Sequence, residues 1–180
     1  MVKVEKKKFG QEIIVEENPF SRFLFVNTKS AWIWLILRLY LGYSWFMAGI
    51  GKVTSDAWTG ENAGMAVRNY MEGALARVSE GDVPIWYGWF LETIVIPNAT
   101  IFSYLVAWGE VLVGISLIIG LLTGISAFFG ALMNISFLLA GTVSTNPIMF
   151  IIAIIFIMAW KVAGWYGLDR WALPPLGTPW

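Results

Sequence analysis

The sequence predicts an all-α integral membrane protein: a four-transmembrane-helix bundle with an extracytoplasmic helical cap between helices 1 and 2. Three observations predict it. Hydrophobic residues fill 58% of the 180 positions and charged residues only 13%. A soluble domain carries about 25% charged residues, so half that density argues against a soluble enzyme, and the apolar excess excludes a disordered chain. Four stretches reach the ~20 mainly apolar residues that cross a bilayer. The polar residues between them fall into turns and one long amphipathic loop.

Residues 1–30 read as a cytoplasmic N-terminal segment, and 31–180 as a single membrane domain. The first span is Ala31 to Gly51, interrupted only by Arg38. The acid-containing segment before it is unlike a signal peptide, so the span is expected to stay as an anchor. The loop 52–100 is no simple linker. Between Glu61 and Arg77, apolar residues recur at Ala63, Ala66, Val67, Tyr70, Met71, Ala74 and Leu75, the spacing of an amphipathic helix. Pro84 to Ile96 is too short to span and rich in tryptophan, as segments at the headgroup level are. The second span is Ile101 to Leu121, interrupted by Glu110, and the third is Leu122 to Gly141, carrying Asn134. The turn between them, Gly120 to Gly124, makes a tight antiparallel hairpin. The fourth span is Ile148 to Tyr166, with Lys161 near its end.

Basic residues set the expected orientation. Lys3, Lys6, Lys7, Lys8, Arg22 and Lys29 precede the first span, and Lys161 and Arg170 lie at the end of the last. The loop 52–100 has Lys52, Arg68 and Arg77 against six acids, Asp56, Glu61, Glu72, Glu80, Asp82 and Glu92. The expected localisation is therefore a multi-pass cell-membrane protein with both termini cytoplasmic and loop 52–100 extracytoplasmic. Arg68 and Arg77 read as solvated charges, and Lys161 as a residue snorkelling to the interface.

Charges inside a bilayer cost roughly 2.5–3.5 kcal/mol each on insertion scales and persist when paired or facing a polar cavity. Arg38, Gly42, Trp45, Gly49 and Lys52 follow one another at spacings of four and three, which puts all five on one helical face. Counting rise along each span places Arg38 and Glu110 within ~6 Å of one depth, with Asn134 a few ångströms from Glu110. Three polar groups on three helices are thus expected to converge near the midplane. An Arg38–Glu110 pair reads two ways, as a structural pair fixing helix register or as a functional polar site. Small residues at Gly109, Gly114, Gly120, Gly124, Gly130 and Ala131 allow close backbone approach.

The chain contains no His and no Cys. Haem ligation by His, iron–sulfur clusters, His or Cys metal sites and thiol chemistry are excluded within it. The net charge is zero, which gives no support to nucleic-acid binding.

At these residues the chain resembles the DoxX/DoxD family of small four-span membrane proteins. The matching pieces are Arg38-Leu-Tyr-Leu-Gly42 running to Phe46-Met-Ala-Gly-Ile-Gly-Lys52, then Glu110-Val-Leu-Val-Gly114 with Leu117-Ile-Ile-Gly-Leu121, then Gly130-Ala-Leu-Met-Asn134, and the tail Ala163-Gly-Trp-Tyr-Gly-Leu-Asp-Arg170. The longer outer loop looks more like the DoxD branch, the membrane subunit of thiosulfate:quinone oxidoreductase. That resemblance implies oxidation of thiosulfate outside the membrane, electrons passed to the quinone pool, and a second, mainly extracytoplasmic subunit.

The residues suit such a role. Arg38 and Glu110 are the candidate catalytic pair, a cation facing developing negative charge and a carboxyl relaying protons. Trp45 is placed to stack on a quinone and Asn134 to donate to it. Lys52, at the outer mouth of the stripe, is placed to attract an anionic substrate. Two other classes stay open: a non-catalytic accessory subunit of a larger respiratory complex such as a terminal quinol oxidase, and a small-anion transporter, which the lack of inverted repeats weakens.

Overall fold

A computed structural model describes residues 18–177, and every regular element among them is helical. The basic run Lys3 to Lys8 lies outside the described residues. A short helix α1 (Pro19–Val26) and one 3-10 turn lead into α2 (Ala31–Val53). The cap follows as α3 (Asp56–Thr59), α4 (Met65–Ala76) and α5 (Ile85–Phe90), the last running into a π-helical turn Leu91–Val95. The bundle resumes with α6 (Ala99–Ile119), α7 (Thr123–Leu139) and α8 (Asn146–Met158), and short helices α9 (Trp160–Ala163) and α10 (Asp169–Ala172) close the chain.

Two helical stretches, Thr28–Val53 and Ala99–Ile119, are long and apolar enough to cross a membrane. The expected third and fourth spans are shorter: α7 has 17 residues and α8 has 13. The reason is local. The turn before α7 uses Gly120 to Leu122, Gly141 at φ +78° ends the helix, and α8 breaks at Ala159. At ~1.5 Å per residue these helices measure ~25 and ~20 Å.

The α2–α6 pair is the densest contact of the fold, and glycine makes it possible. A Cβ at Gly114 would lie 2.5 Å from the Phe46 nitrogen, one at Gly49 2.6 Å from the Val111 nitrogen, and one at Gly42 2.9 Å from the Ile118 side chain. At these three positions the close approach of the helices leaves no room for a side chain. Trp34, Leu41, Trp45, Leu117 and Phe156 fill the bundle core. A second core of Val67, Ala74, Val83, Tyr87 and Leu91 holds the cap onto the bundle.

The cap is strapped down by polar contacts. The Tyr87 hydroxyl donates to the Ser136 carbonyl at 2.9 Å, Tyr104 Oη to the Thr59 carbonyl at 2.8 Å, and Thr59 Oγ1 to the Val53 carbonyl at 2.6 Å. The predicted amphipathic helix is α4. It starts at Met65 and not at Glu61, because Gly64 (φ +95°) turns the chain against Thr100, leaving no space for a Cβ. Residues 18–30, expected as a separate segment, dock instead on the bundle: the Trp34 indole donates to the Leu24 carbonyl at 2.9 Å.

Candidate functional site

The predicted stripe on α2 is real as a face. Arg38, Gly42, Trp45 and Gly49 are buried, and Lys52 is partly exposed. Its partners differ from those expected. Lys52 Nζ donates to Glu110 Oε2 at 2.6 Å, and that pair replaces the expected Arg38–Glu110 pair. The α2–α6 register explains the correction. Gly42 meets Gly114 and Ile118, and Gly49 meets Glu110 and Val111. Residues 49–50 therefore lie level with Glu110, and Arg38 lies ~18 Å along the axis from it. A depth count anchors the two helices at opposite membrane faces. In the fold α2 overhangs α6 at the end where α9 packs against it and the Trp34 indole donates to the Leu24 carbonyl of α1.

Arg38 belongs to a separate cluster at the α6–α7 turn. Its Nη2 donates to the Tyr166 carbonyl at 2.7 Å, and its charge interacts with that of Asp169. Glycines shape this cradle: a Cβ on Gly120 or Gly167 would fall on the guanidinium, and one on Gly164 would fall on the Asp169 carboxylate. Asp169 in turn accepts from the backbone N–H groups of Leu122 and Thr123 (3.0 Å for Thr123), which begin α7. The backbone of Leu168 and Asp169 also donates to the carbonyls of Ile119 and Gly120. Leu122 adopts φ +51°, a left-handed conformation that costs a bulky residue about 1–2 kcal/mol, and the carboxylate holds it there. The Arg38–Tyr166 hydrogen bond and the Asp169 contacts with the start of α7 together form a clip that ties the tail to the hairpin. Arg38 Nε and Nη1 are buried with no hydrogen-bond partner among the described residues. Sequence reading missed Asp169 as a site residue. Its signal was present: it is the one acid that follows Glu110 in the chain.

The other end of the stripe gathers four residues. Glu110, Asn134 and Trp45 are 1%, 0% and 2% exposed, while the Lys52 side chain is 22% exposed. Gly109 faces Met133 and Val113 faces Gly130 across α6 and α7, which sets Asn134 within ~3 Å of the Glu110 level along the axis. The expected depth match of Glu110 and Asn134 therefore holds. Trp45 packs its Nε1 over Gly130, where a Cβ would lie 3.0 Å away. Trp45 Nε1, Asn134 Nδ2 and Asn134 Oδ1 are buried with no hydrogen-bond partner among the described residues. Buried polar groups nearly always have partners, so these orphaned donors and acceptor need an explanation. Above them Lys52 Nζ lies 5.2 Å from the centre of the Trp58 ring. α3, which carries Trp58, is tied to α6 by a hydrogen bond from Ser103 Oγ to the Trp58 carbonyl. Lys52 thus already has a counter-charge and an aromatic roof, so it is not a free anion receptor.

Two further basic residues have defined partners. Arg77, read as solvated, donates from Nη1 to the Gly141 carbonyl (2.7 Å) and from Nη2 to the Ala140 carbonyl (2.6 Å), capping the C-terminus of α7. Lys161 is exposed and lies over the Trp160 ring at 5.7 Å.

No curated protein and no solved structure matches the chain. Among protein families, DoxX matches residues 33–165. That span holds the whole bundle and the cap, from the α2 face through Glu110 and Asn134 to α9. The chain therefore belongs to the DoxX family of membrane proteins.

Proposed function

We propose that this protein is a membrane-embedded, quinone-interacting oxidoreductase subunit of the thiosulfate:quinone type, taking electrons from an extracytoplasmic donor such as thiosulfate. In this reading all four apolar helices sit in the bilayer, both termini are cytoplasmic, the cap is extracytoplasmic, and a second subunit meets the cap. The observation that carries it is the set of unpartnered polar atoms on Trp45 and Asn134. An indole N–H and a carboxamide N–H at the centre of an apolar bundle suit the carbonyl oxygens of an apolar ring. Quinone, when bound, supplies two-electron, two-proton redox chemistry, for which this chain has no His or Cys of its own.

The residues divide the work. Trp45 and Asn134 bind and orient. Glu110 Oε2 and Lys52 Nζ share a contact of 2.6 Å able to hold or release a proton. Lys52 is the member of the stripe nearest the cap, under the Trp58 ring of α3. Arg38, assigned to catalysis from sequence, serves as a positioning residue through its clip with Tyr166 and Asp169. An accessory role in a respiratory complex is favoured by one observation: Ile85, Trp86 and Trp89 stand 80%, 62% and 62% exposed on the cap, a face suited to covering by another subunit.

The test is purification in mild detergent followed by extraction of bound quinone. Trp45→Phe with Asn134→Leu should lower quinone content without lowering the melting temperature. Unchanged quinone retention in a folded double variant overturns the quinone site.

A further inference from the structure

At the α6–α7 turn end, an apolar groove of about 430 Å³ runs between α7, the end of α8 and the tail. Gly124 and Phe128 form one wall, Ile157 and Trp160 the other, and Leu173 and Leu176 the floor. Its size falls in the ~300–1,000 Å³ range of ligand sites. Its lining residues are apolar and offer nothing to a polar headgroup, so the groove suits hydrocarbon.

The rim is charged, and with one sign. The Lys161 ammonium sits over the ring of Trp160, a groove wall. Arg170 precedes the floor residue Leu173 by three positions and lies 4.8 Å over Trp165. Both cations are exposed, and neither has an ion-pair partner among the described residues. Arg22 and Lys29 lie at the same end, while the described acid there, Asp169, is buried in the clip. At the opposite end the cap carries six acids against three cations.

We propose that this groove is a binding site for an anionic phospholipid, one acyl chain lying between α7 and Trp160 and the phosphate held by Lys161 and Arg170. Basic sites beside apolar helix faces take acidic headgroups in this way. The proposal rests on membrane embedding and is independent of the quinone reading. Leu122 lines the groove and donates its N–H to Asp169, so a seated chain packs against the Arg38–Asp169 clip.

The test is native mass spectrometry of the full chain in mild detergent, titrated with dioleoylphosphatidylglycerol against dioleoylphosphatidylcholine. At about 1 kcal/mol per cation near an anionic headgroup, each cation contributes about five-fold selectivity for the glycerol lipid. Lys161→Gln with Arg170→Gln should bring the two lipids close to parity, and each single variant should lose part of the preference. Arg22→Gln with Lys29→Gln, at the same end but off the groove, should keep it. Ile157→Trp, which fills the groove, should weaken both lipids. Equal binding of the two lipids to the unaltered protein overturns the proposal. So does an equal loss of selectivity in the Arg22/Lys29 variant, which indicates a diffuse surface potential. Displacement of the bound phospholipid by one equivalent of a long-chain quinone overturns the assignment of the occupant. If the double variant does not fold, the two single variants carry the same comparison.

Discussion

Lys52 and Glu110 form an ion pair at 2.6 Å across the α2–α6 contact, one turn from where Gly49 touches the Val111 backbone. The carboxylate is 1% exposed and the ammonium 22%, so the pair is a buried acid reached from the cap end by its counter-ion. Lys52→Met should leave Glu110 unpaired and destabilise by somewhat less than the ~3–5 kcal/mol of a fully buried pair. Adding Glu110→Gln should recover part of that loss. Thermal melts of the two single variants and the double variant measure the coupling. Additive losses sink the pairing.

The clip makes a different prediction. Arg38→Ala and Asp169→Ala each loosen the same turn, so their effects should be strongly non-additive in a double-mutant cycle. Arg38→Lys should not rescue, because an ammonium cannot reproduce the planar guanidinium packed against Gly120 and Gly167. Hydrogen exchange at the Leu122 and Thr123 amides reports the clip directly, and protection there in Asp169→Ala would contradict it.

Glycine substitutions separate contact from propensity. Gly114→Val should abolish folding, since its Cβ would strike the Phe46 backbone. A Cβ added at Gly51, on the same helix as Gly42 and Gly49, would meet nothing within 4 Å. Gly51→Ala should therefore stabilise by about 0.5–1 kcal/mol. A melting-temperature series over Gly42, Gly49, Gly51 and Gly114 decides whether backbone contact orders these costs.

Asn134→Leu should raise the stability of the resting protein by about 1–3 kcal/mol, because it removes unpartnered buried polar atoms at similar volume. Under the proposed quinone reading, the same variant should also lose any quinone-linked turnover. A more stable protein with full turnover would show that the orphaned amide is not there for a ligand.

The cap loop carries a pH dependence. The side-chain amide of Asn62, followed by the backbone N–H of Glu61, holds the Asp56 carboxyl below its ordinary value of 3.8. Its folded pKa lies below its unfolded one, so its contribution is complete above pH ~4 and is lost as pH falls through the lowered value. Protection of the Glu61 amide should be flat from pH ~8 to about 4 and fall below that. Asp56→Ala should show the low-pH behaviour at neutral pH.

Much of the architecture was legible because it is written in local periodicity. The α2 face from Arg38 to Lys52 and the helix in the cap follow from three- and four-residue spacing. The end of α7 at Gly141 was legible, but the shortness of α8 was not, since hydropathy runs through Ala159 without showing that the helix breaks there. Nor was the capping role of Arg77, because its partners, the Ala140 and Gly141 carbonyls, lie more than sixty residues away.

The sequence by itself determined a helical membrane protein, one polar face on α2 and membership of the DoxX pattern, because apolar length and helical period are properties of neighbouring residues. Only the tertiary structure decided which charges meet. Axial register between helices is set by where glycines let backbones touch, at Gly42, Gly49 and Gly114. A depth count along isolated spans carries no such information. That register gives Glu110 to Lys52 and leaves Arg38 to the Tyr166 carbonyl, beside the Asp169 charge, at the far end of the chain.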